Sequence, residues 1–330
     1  MSVSVKGWGI QLLKMILAGC ITIIILSVFI DIYCNSGIHI RNQSGATDYT
    51  YEPGRHSTNY SEGFSQLTFD KNGFNNAIVP EYVDTLLLGS SHMAALNVYD
   101  DESVVYRLNA DHDLNAYNLG VSGHTIYRIA SNIGRAIDTY TPGQRVIIET
   151  DTIQLDSSQM DAVVDESAVP IRVYDSGILF WIQKNISSVK FLYKQVGLWK
   201  DADHAVAEGK QVDYNNQGYV SSLNSFLSKI RADAGDLDVI IFYHSKTQID
   251  RAGNYLDPTD PDARAAFVTA CEANNITFLD MTEPFEQLYN EQHILAHGFA
   301  NTAVGYGHLN KYGHAIIADE LAKVIQGVEE

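Results

Sequence analysis

The chain has 330 residues, is 45% hydrophobic and carries a formal net charge of −18. That is enough apolar material for one large packed domain or two small ones. Lys and Arg form no basic stripe, which argues against a nucleic-acid partner, because phosphate contacts need clustered cations. Cys20, Cys34 and Cys271 are too few and too scattered for a disulfide framework or a cysteine-based zinc site.

Residues 15–30 form an apolar run between Lys14 and Asp31. Adding residues 8–13, with the Lys14 amine reaching towards the headgroups, brings the segment to the roughly 20 residues that span a bilayer. Lys6 and Lys14 lie on its N-terminal side and Asp31 on the other, so the positive-inside tendency puts the N-terminus in the cytoplasm. A single-pass signal anchor at 1–34 is the favoured reading. A cleaved signal peptide lacks a small-x-small site after Ile30, and the apolar run continues past Cys20, against a lipoprotein box at 17–20. All three readings place the soluble part outside the cytoplasm. Residues 35–80 are rich in Asn, Ser, Gly, Tyr and Thr with little apolar periodicity, which reads as a stalk and lead-in loop to a domain at 81–330.

The run 85–88 breaks at Gly89 into Ser90, Ser91 and His92, followed by helix-forming residues. This is a strand-to-helix turn, a place that exposes a serine Oγ beside free backbone N–H groups. Helix capping is the plainer role for the same serines. A second run, 116–119, ends in Asn118-Leu119-Gly120-Val121-Ser122-Gly123-His124, ahead of Ile126, Ile129, Ile133 and Ile137 at helical spacing. Gly123 brings a bare N–H near a substrate oxygen or serves a turn that needs positive φ. Strands at 145–150, 238–243 and 276–279 end in the polar cluster Glu149–Gln154, in His244-Ser245-Lys246 and at Asp280. Strands alternating with helices predict a three-layer α/β/α fold with a mainly parallel five-stranded sheet. Its ligand site then lies beyond the carboxyl ends of the strands. His308 precedes a helix at 315–325 and is placed to exchange a proton with a serine, or is simply a surface histidine. An insert at about 155–235 holds residues 178–199, apolar at helical spacing with Lys184, Lys190, Lys194 and Lys200. It reads as a cover for the cleft, a membrane-surface segment, or helices packed on the sheet with solvated lysines.

In this order and spacing the blocks resemble the SGNH (GDSL-type) hydrolase superfamily over roughly residues 82–327. Gly89-Ser90-Ser91 is similar to the G-D-S block with serine in place of aspartate, a variant that resembles membrane-anchored members such as the D-alanyl-transfer protein of teichoic-acid modification. The resemblance implies Ser91 as nucleophile, Gly123 as oxyanion glycine and His308 as base. Two departures stand out. Gly305 occupies the position of the family's triad acid, so Asp280 is expected in that role, with Glu283 and Asp151 behind it or a Ser–His dyad fixed by a backbone carbonyl. No G-x-N-D follows the third strand, which leaves Thr150, Thr152 or Gln154 to supply the second oxyanion donor. His92, His124 and His244 are expected at the substrate edge. None of the histidines has a recognised ligand spacing, so neither metal nor cofactor is expected. The implied activity is serine-dependent acyl-ester chemistry, O-acetyl transfer to or from a cell-surface or exported polysaccharide, in partnership with a multi-pass membrane acyltransferase. A plain carbohydrate esterase and a catalytically silent scaffold that binds glycan or a partner are the alternatives.

Overall fold

The central strands are hydrophobic along almost their whole length because helices cover both of their faces. In this computed structural model, which describes residues 5–33, 38–60, 62–167, 176–189, 212–246 and 248–327, eleven strands follow in chain order. β1 (His39–Arg41) pairs with β2 (Tyr49–Tyr51) and β3 (His56–Asn59) with β4 (Ser65–Thr68), both antiparallel. β5 (Thr85–Leu88), β6 (Ala116–Asn118), β7 (Arg145–Thr150) and β8 (Asp238–Tyr243) belong to the main sheet. β9 (Gln248–Ile249) and β10 (Tyr255–Leu256) form a short ribbon, and β11 (Thr277–Asp280) completes the main sheet. Its order is β11-β8-β7-β5-β6, all parallel. The predicted five strands are therefore present within a residue or two of the expected bounds.

Alternation along the strands sorts the core into two layers. Leu86, Leu88, Val146, Ile148, Val239 and Ile241 face the helices Ile126–Tyr140, Ser157–Val164, Gln217–Asp233 and Pro261–Ala273. Leu87, Ile147, Ile240 and Phe242 face Val104–Ala110, Thr282–Gln292 and Lys311–Gln326. The chain leaves β5 for β6 on one side, then crosses to β7 on the other. The switch point therefore lies between β5 and β7, where an open α/β sheet holds its ligand.

The lead-in region departs from the stalk reading. Residues 38–60 and 62–76 are folded on the domain: Tyr49, Tyr51, Leu67, Phe69 and Phe74 are buried, and the Tyr51 and Phe69 rings stack at 4.3 Å. Tyr51, Leu67 and Phe69 pack beneath Ala94, at the end of the short helix Ser91–Ala94. Asn76 Oδ1 accepts from the Asn118 N–H at 2.8 Å, which fixes the end of the lead-in against β6.

An N-terminal helix, Val5–Tyr33, contains a 25-residue window, Gly7–Asp31, long and apolar enough to cross a membrane. Within the insert, Met160, Val163, Leu223 and Phe226 join the core, so its described ends pack on the sheet. Lys184 pairs with Glu52 at 2.5 Å; Lys190, Lys194 and Lys200 lie outside the described residues. The Ser188 N–H donates to Asp31 Oδ1 at 3.0 Å, tying this region to the end of the N-terminal helix. Cys271 is buried, which pushes its thiol up to about 12.

Candidate functional site

The turn after β5 gives its two serines different tasks. Ser90 is the N-cap: its Oγ accepts from the His92 N–H at 3.2 Å. Its own N–H and Oγ–H donate to Glu149 at the end of β7, at 2.6 and 3.1 Å. Ser91 begins the helix and is half-buried. Gly89 and Gly120 let this turn sit close to its surroundings, since a Cβ at either would run into Met93. Capping and exposure of a hydroxyl are both realised here, on neighbouring residues.

His308 meets Ser91 across 217 residues of chain. Its Nε2 lies 2.8 Å from Ser91 Oγ. Its Nδ1 lies 2.7 Å from Glu62 Oε2, and its backbone N–H donates to the other oxygen of the same carboxylate. Glu62 accepts at both oxygens, so Nδ1 carries the proton and the Nε2 lone pair is turned to the serine hydroxyl. Burial raises the Glu62 pKa, but the hydrogen bonds and charge of His308 outweigh it, and the net shift is downward. The carboxylate therefore stays ionised beside the imidazole.

Glu62 sits in the turn between β3 and β4, and that turn is tied on both sides. The Asn97 amide donates to the Glu62 carbonyl at 3.1 Å, Ser65 Oγ donates to the Leu96 carbonyl at 2.5 Å, and the Gly63 N–H donates to Asn301 Oδ1 at 2.8 Å. The first two ties reach the loop after the Ser91 helix, and the third reaches the loop before His308. Gly307 has φ +116, and a Cβ there would strike the Glu62 carboxylate. The only residue that fits beside the carboxylate is one without a side chain.

Gly123 follows β6 with φ +87 and is exposed. Tyr49 and Tyr51 hold its loop: the Tyr49 hydroxyl donates to the Ser122 carbonyl at 2.6 Å, and the Tyr51 hydroxyl donates to Ser122 Oγ at 2.7 Å. Among the described residues, no protein group accepts from the N–H of Ser91 or Gly123. Both remain available to an oxyanion.

Several residues expected at the site are engaged elsewhere. Asp280 pairs with Arg264 at 2.8 Å and accepts from the Thr282 N–H at 2.9 Å. It ends an edge strand three positions from β5, about 14 Å across the sheet at the usual strand spacing. Asp151 faces Lys246 at 3.9 Å, and Glu283 accepts from Gln287 at 3.4 Å. Thr150 Oγ1 donates to the Thr152 carbonyl at 2.6 Å, and Thr152 Oγ1 accepts from the Gln154 N–H at 3.2 Å. The Gln154 amide donates to the Tyr214 hydroxyl at 3.1 Å. Among the described residues, no hydrogen bond ties Thr150, Thr152 or Gln154 to Ser91.

The three histidines expected to hold substrate are all buried. His124 packs edge-on against Tyr49, and burial lowers its pKa to about 4. His244 Nε2–H donates to Glu149 at 2.8 Å. His92 accepts the Leu309 N–H at Nδ1, at 3.2 Å, with its ring 5.0 Å from that of His308. His297, not singled out by the sequence, joins His92 and His244, and one ring nitrogen from each lies within 4.8 Å of the others.

No family model matches the chain. No curated protein matches it either. Among solved structures, it is similar to a member of the lipolytic protein G-D-S-L family from Veillonella parvula, 17% identical over 73% of this chain and 97% of that one, with a TM-score of 0.38. It is also similar to the psychrotrophic esterase EstA from Pseudoalteromonas sp., 14% identical over 74% of this chain and 97% of that one, with a TM-score of 0.38. An acetyl xylan esterase is 12% identical over 73% of this chain and 99% of that one, with a TM-score of 0.41.

Proposed function

We propose that the chain is a serine-dependent acyl-ester enzyme whose triad is Ser91, His308 and Glu62. One observation carries the reading: the continuous Ser91 Oγ–His308 Nε2 and His308 Nδ1–Glu62 contacts of 2.8 and 2.7 Å. Ser91 attacks the ester carbonyl as its proton passes to His308 Nε2. Glu62 holds the ring in the productive tautomer and stabilises the imidazolium. The free N–H groups of Ser91 and Gly123 receive the oxyanion. His308 then protonates the departing alcohol, leaving Ser91 acylated. A water or an acceptor hydroxyl gives its proton to His308 and releases the acyl group by the reverse sequence.

The acyl group proposed is acetyl, moving to or from a cell-surface or exported polysaccharide. The domain stands outside the cytoplasm on the N-terminal helix, with a multi-pass membrane acyltransferase as donor partner. The resemblance to anchored acyl-modifying proteins supports this, as does a helix able to span a membrane. The net charge of −18 favours an acceptor that is not strongly anionic. The silent-scaffold reading leaned on Gly305 in the acid's place and on the missing asparagine after the third strand; Glu62 beside His308 answers the first.

The test compares wild type with Ser91→Ala on an activated acetyl ester, following acetate release and acetyl transfer to added glycan in the same reaction. Loss of both in the variant supports the triad, and the ratio of the two products separates transferase from esterase. Turnover that survives Ser91→Ala overturns the reading.

A further inference from the structure

Behind the reacting pair lies a second group of side chains that the acyl chemistry does not use. His92, His244 and His297 come from the turn after β5, the end of β8 and the loop before His308, and their exposures are 6%, 0% and 1%. Three imidazoles converging in a buried position are unusual, because each brings a polar nitrogen that needs a partner.

His244 is already in a ligating tautomer. Its Nε2–H donates to the buried Glu149 carboxyl at 2.8 Å, which leaves Nδ1 as the acceptor of the His297 Nε2–H at 3.3 Å, the proton that a bound metal ion would displace. A carboxylate behind a histidine that turns its other nitrogen inward is the usual support of a metal-bound imidazole. The 3.3 Å separation also equals the edge of a tetrahedron with metal–nitrogen bonds of about 2.0–2.1 Å. The third ring, His92, brings a nitrogen within 4.8 Å of the other two, at most about 1.5 Å beyond that edge. Glu149 adds a charge argument: among the described residues it meets Ser90 and His244 but no Lys or Arg. A buried carboxylate gains from a nearby cation. A cavity of about 570 Å³, lined by Phe64, Tyr99, Phe299 and Tyr312, reaches His297 and offers an entry path.

We propose that His92, His244 and His297, with Glu149 behind His244, form a binding site for a divalent transition metal. All-nitrogen ligation suits Zn2+ or Co2+ and not Mg2+ or Ca2+, which take oxygen ligands.

The full chain, purified in detergent and stripped with chelator, is titrated with Co2+ and separately with Zn2+. The expected results are the visible d–d bands of four-coordinate Co2+ at one equivalent, their displacement by Zn2+, and a rise in the thermal midpoint with either metal. His297→Ala and His244→Ala weaken binding by about 100-fold or more, and Glu149→Gln by about 10- to 100-fold. His124→Ala, a buried histidine outside the cluster, leaves binding unchanged. Ser91→Ala also binds as wild type does, which separates this site from the acyl chemistry. Absence of the Co2+ bands and of any thermal shift in the wild type overturns the proposal. Equal loss of binding in His124→Ala and His297→Ala does so too.

Discussion

Replacing Glu62 by Gln asks whether the lead-in hairpin takes part in the chemistry. The carboxylate accepts twice from His308, from Nδ1–H at 2.7 Å and from the backbone N–H. A carboxamide has a single oxygen, so one of those donors loses its acceptor. If the amide NH2 faces Nδ1, the ring moves its proton to Nε2, and Ser91 loses its base. If the amide oxygen faces Nδ1, the tautomer survives, but the imidazolium formed on attack has no counter-charge. Two unit charges 2.7 Å apart at an effective dielectric of about 20 attract by about 6 kcal/mol. This is an upper bound, because Glu62 and His308 are 20% and 31% exposed and partly screened by water. The expected cost is therefore about 4–5.5 kcal/mol, a fall of about 10^3- to 10^4-fold in kcat on an acetyl ester. The assay is steady-state hydrolysis, with circular dichroism to establish that the variant is folded. A folded Glu62→Gln enzyme within tenfold of wild type refutes the assignment of the acid.

Three further outcomes follow from the same geometry. Asp280→Asn leaves kcat within a few-fold of wild type and lowers the thermal midpoint, because it removes the Arg264 pair and nothing at Ser91; a thousandfold activity loss in a folded protein contradicts this. Gly307→Ala forces the Glu62 carboxylate away and imposes a side chain at φ +116, so activity falls at least as far as in Glu62→Gln; an active Gly307→Ala protein means the loop is not held as described. The third concerns acid stability. His124 is lowered from 6.5 to about 4, so between those values the unfolded chain binds the extra proton and stability rises with pH. The contribution is fully present above about 6.5 and lost as pH falls towards 4, amounting to about 3 kcal/mol. Glu62 acts in the same direction at lower pH: its lowered pKa gives stability that is present above the ordinary carboxylate value and lost below it. Denaturant melts from pH 7 to 4 should show a shallower acid decline in His124→Phe than in wild type, and identical slopes refute the assignment.

The sequence made the sheet legible because buried parallel strands are short apolar runs, and Thr85–Leu88, Arg145–Thr150 and Asp238–Tyr243 are such runs. Ser91, Gly123 and His308 were legible because each has a local signature, a turn between a strand and a helix or a loop before one. Glu62 has none. It lies 246 residues from His308, in a hairpin whose strands are mostly polar, so composition suggested a stalk. The available signals were Leu67, Phe69 and Phe74, apolar residues too closely spaced for a solvated linker, and Gly63 at the turn. Asp280 drew attention by ending a strand, but sequence alone does not give strand order, and it ends an edge strand. The histidine cluster was hidden for the same reason. His92 and His244 follow strands that flank β7, and only the sheet order places them on either side of Glu149.

The most direct measurement is mass spectrometry of the full chain after a fluorophosphonate probe, with the adduct mapped by peptide. The account predicts one adduct, on the peptide containing Ser91. It should be absent in Ser91→Ala and strongly slowed in His308→Ala and Glu62→Gln. An unlabelled but folded wild-type chain, or an adduct on another residue, contradicts it.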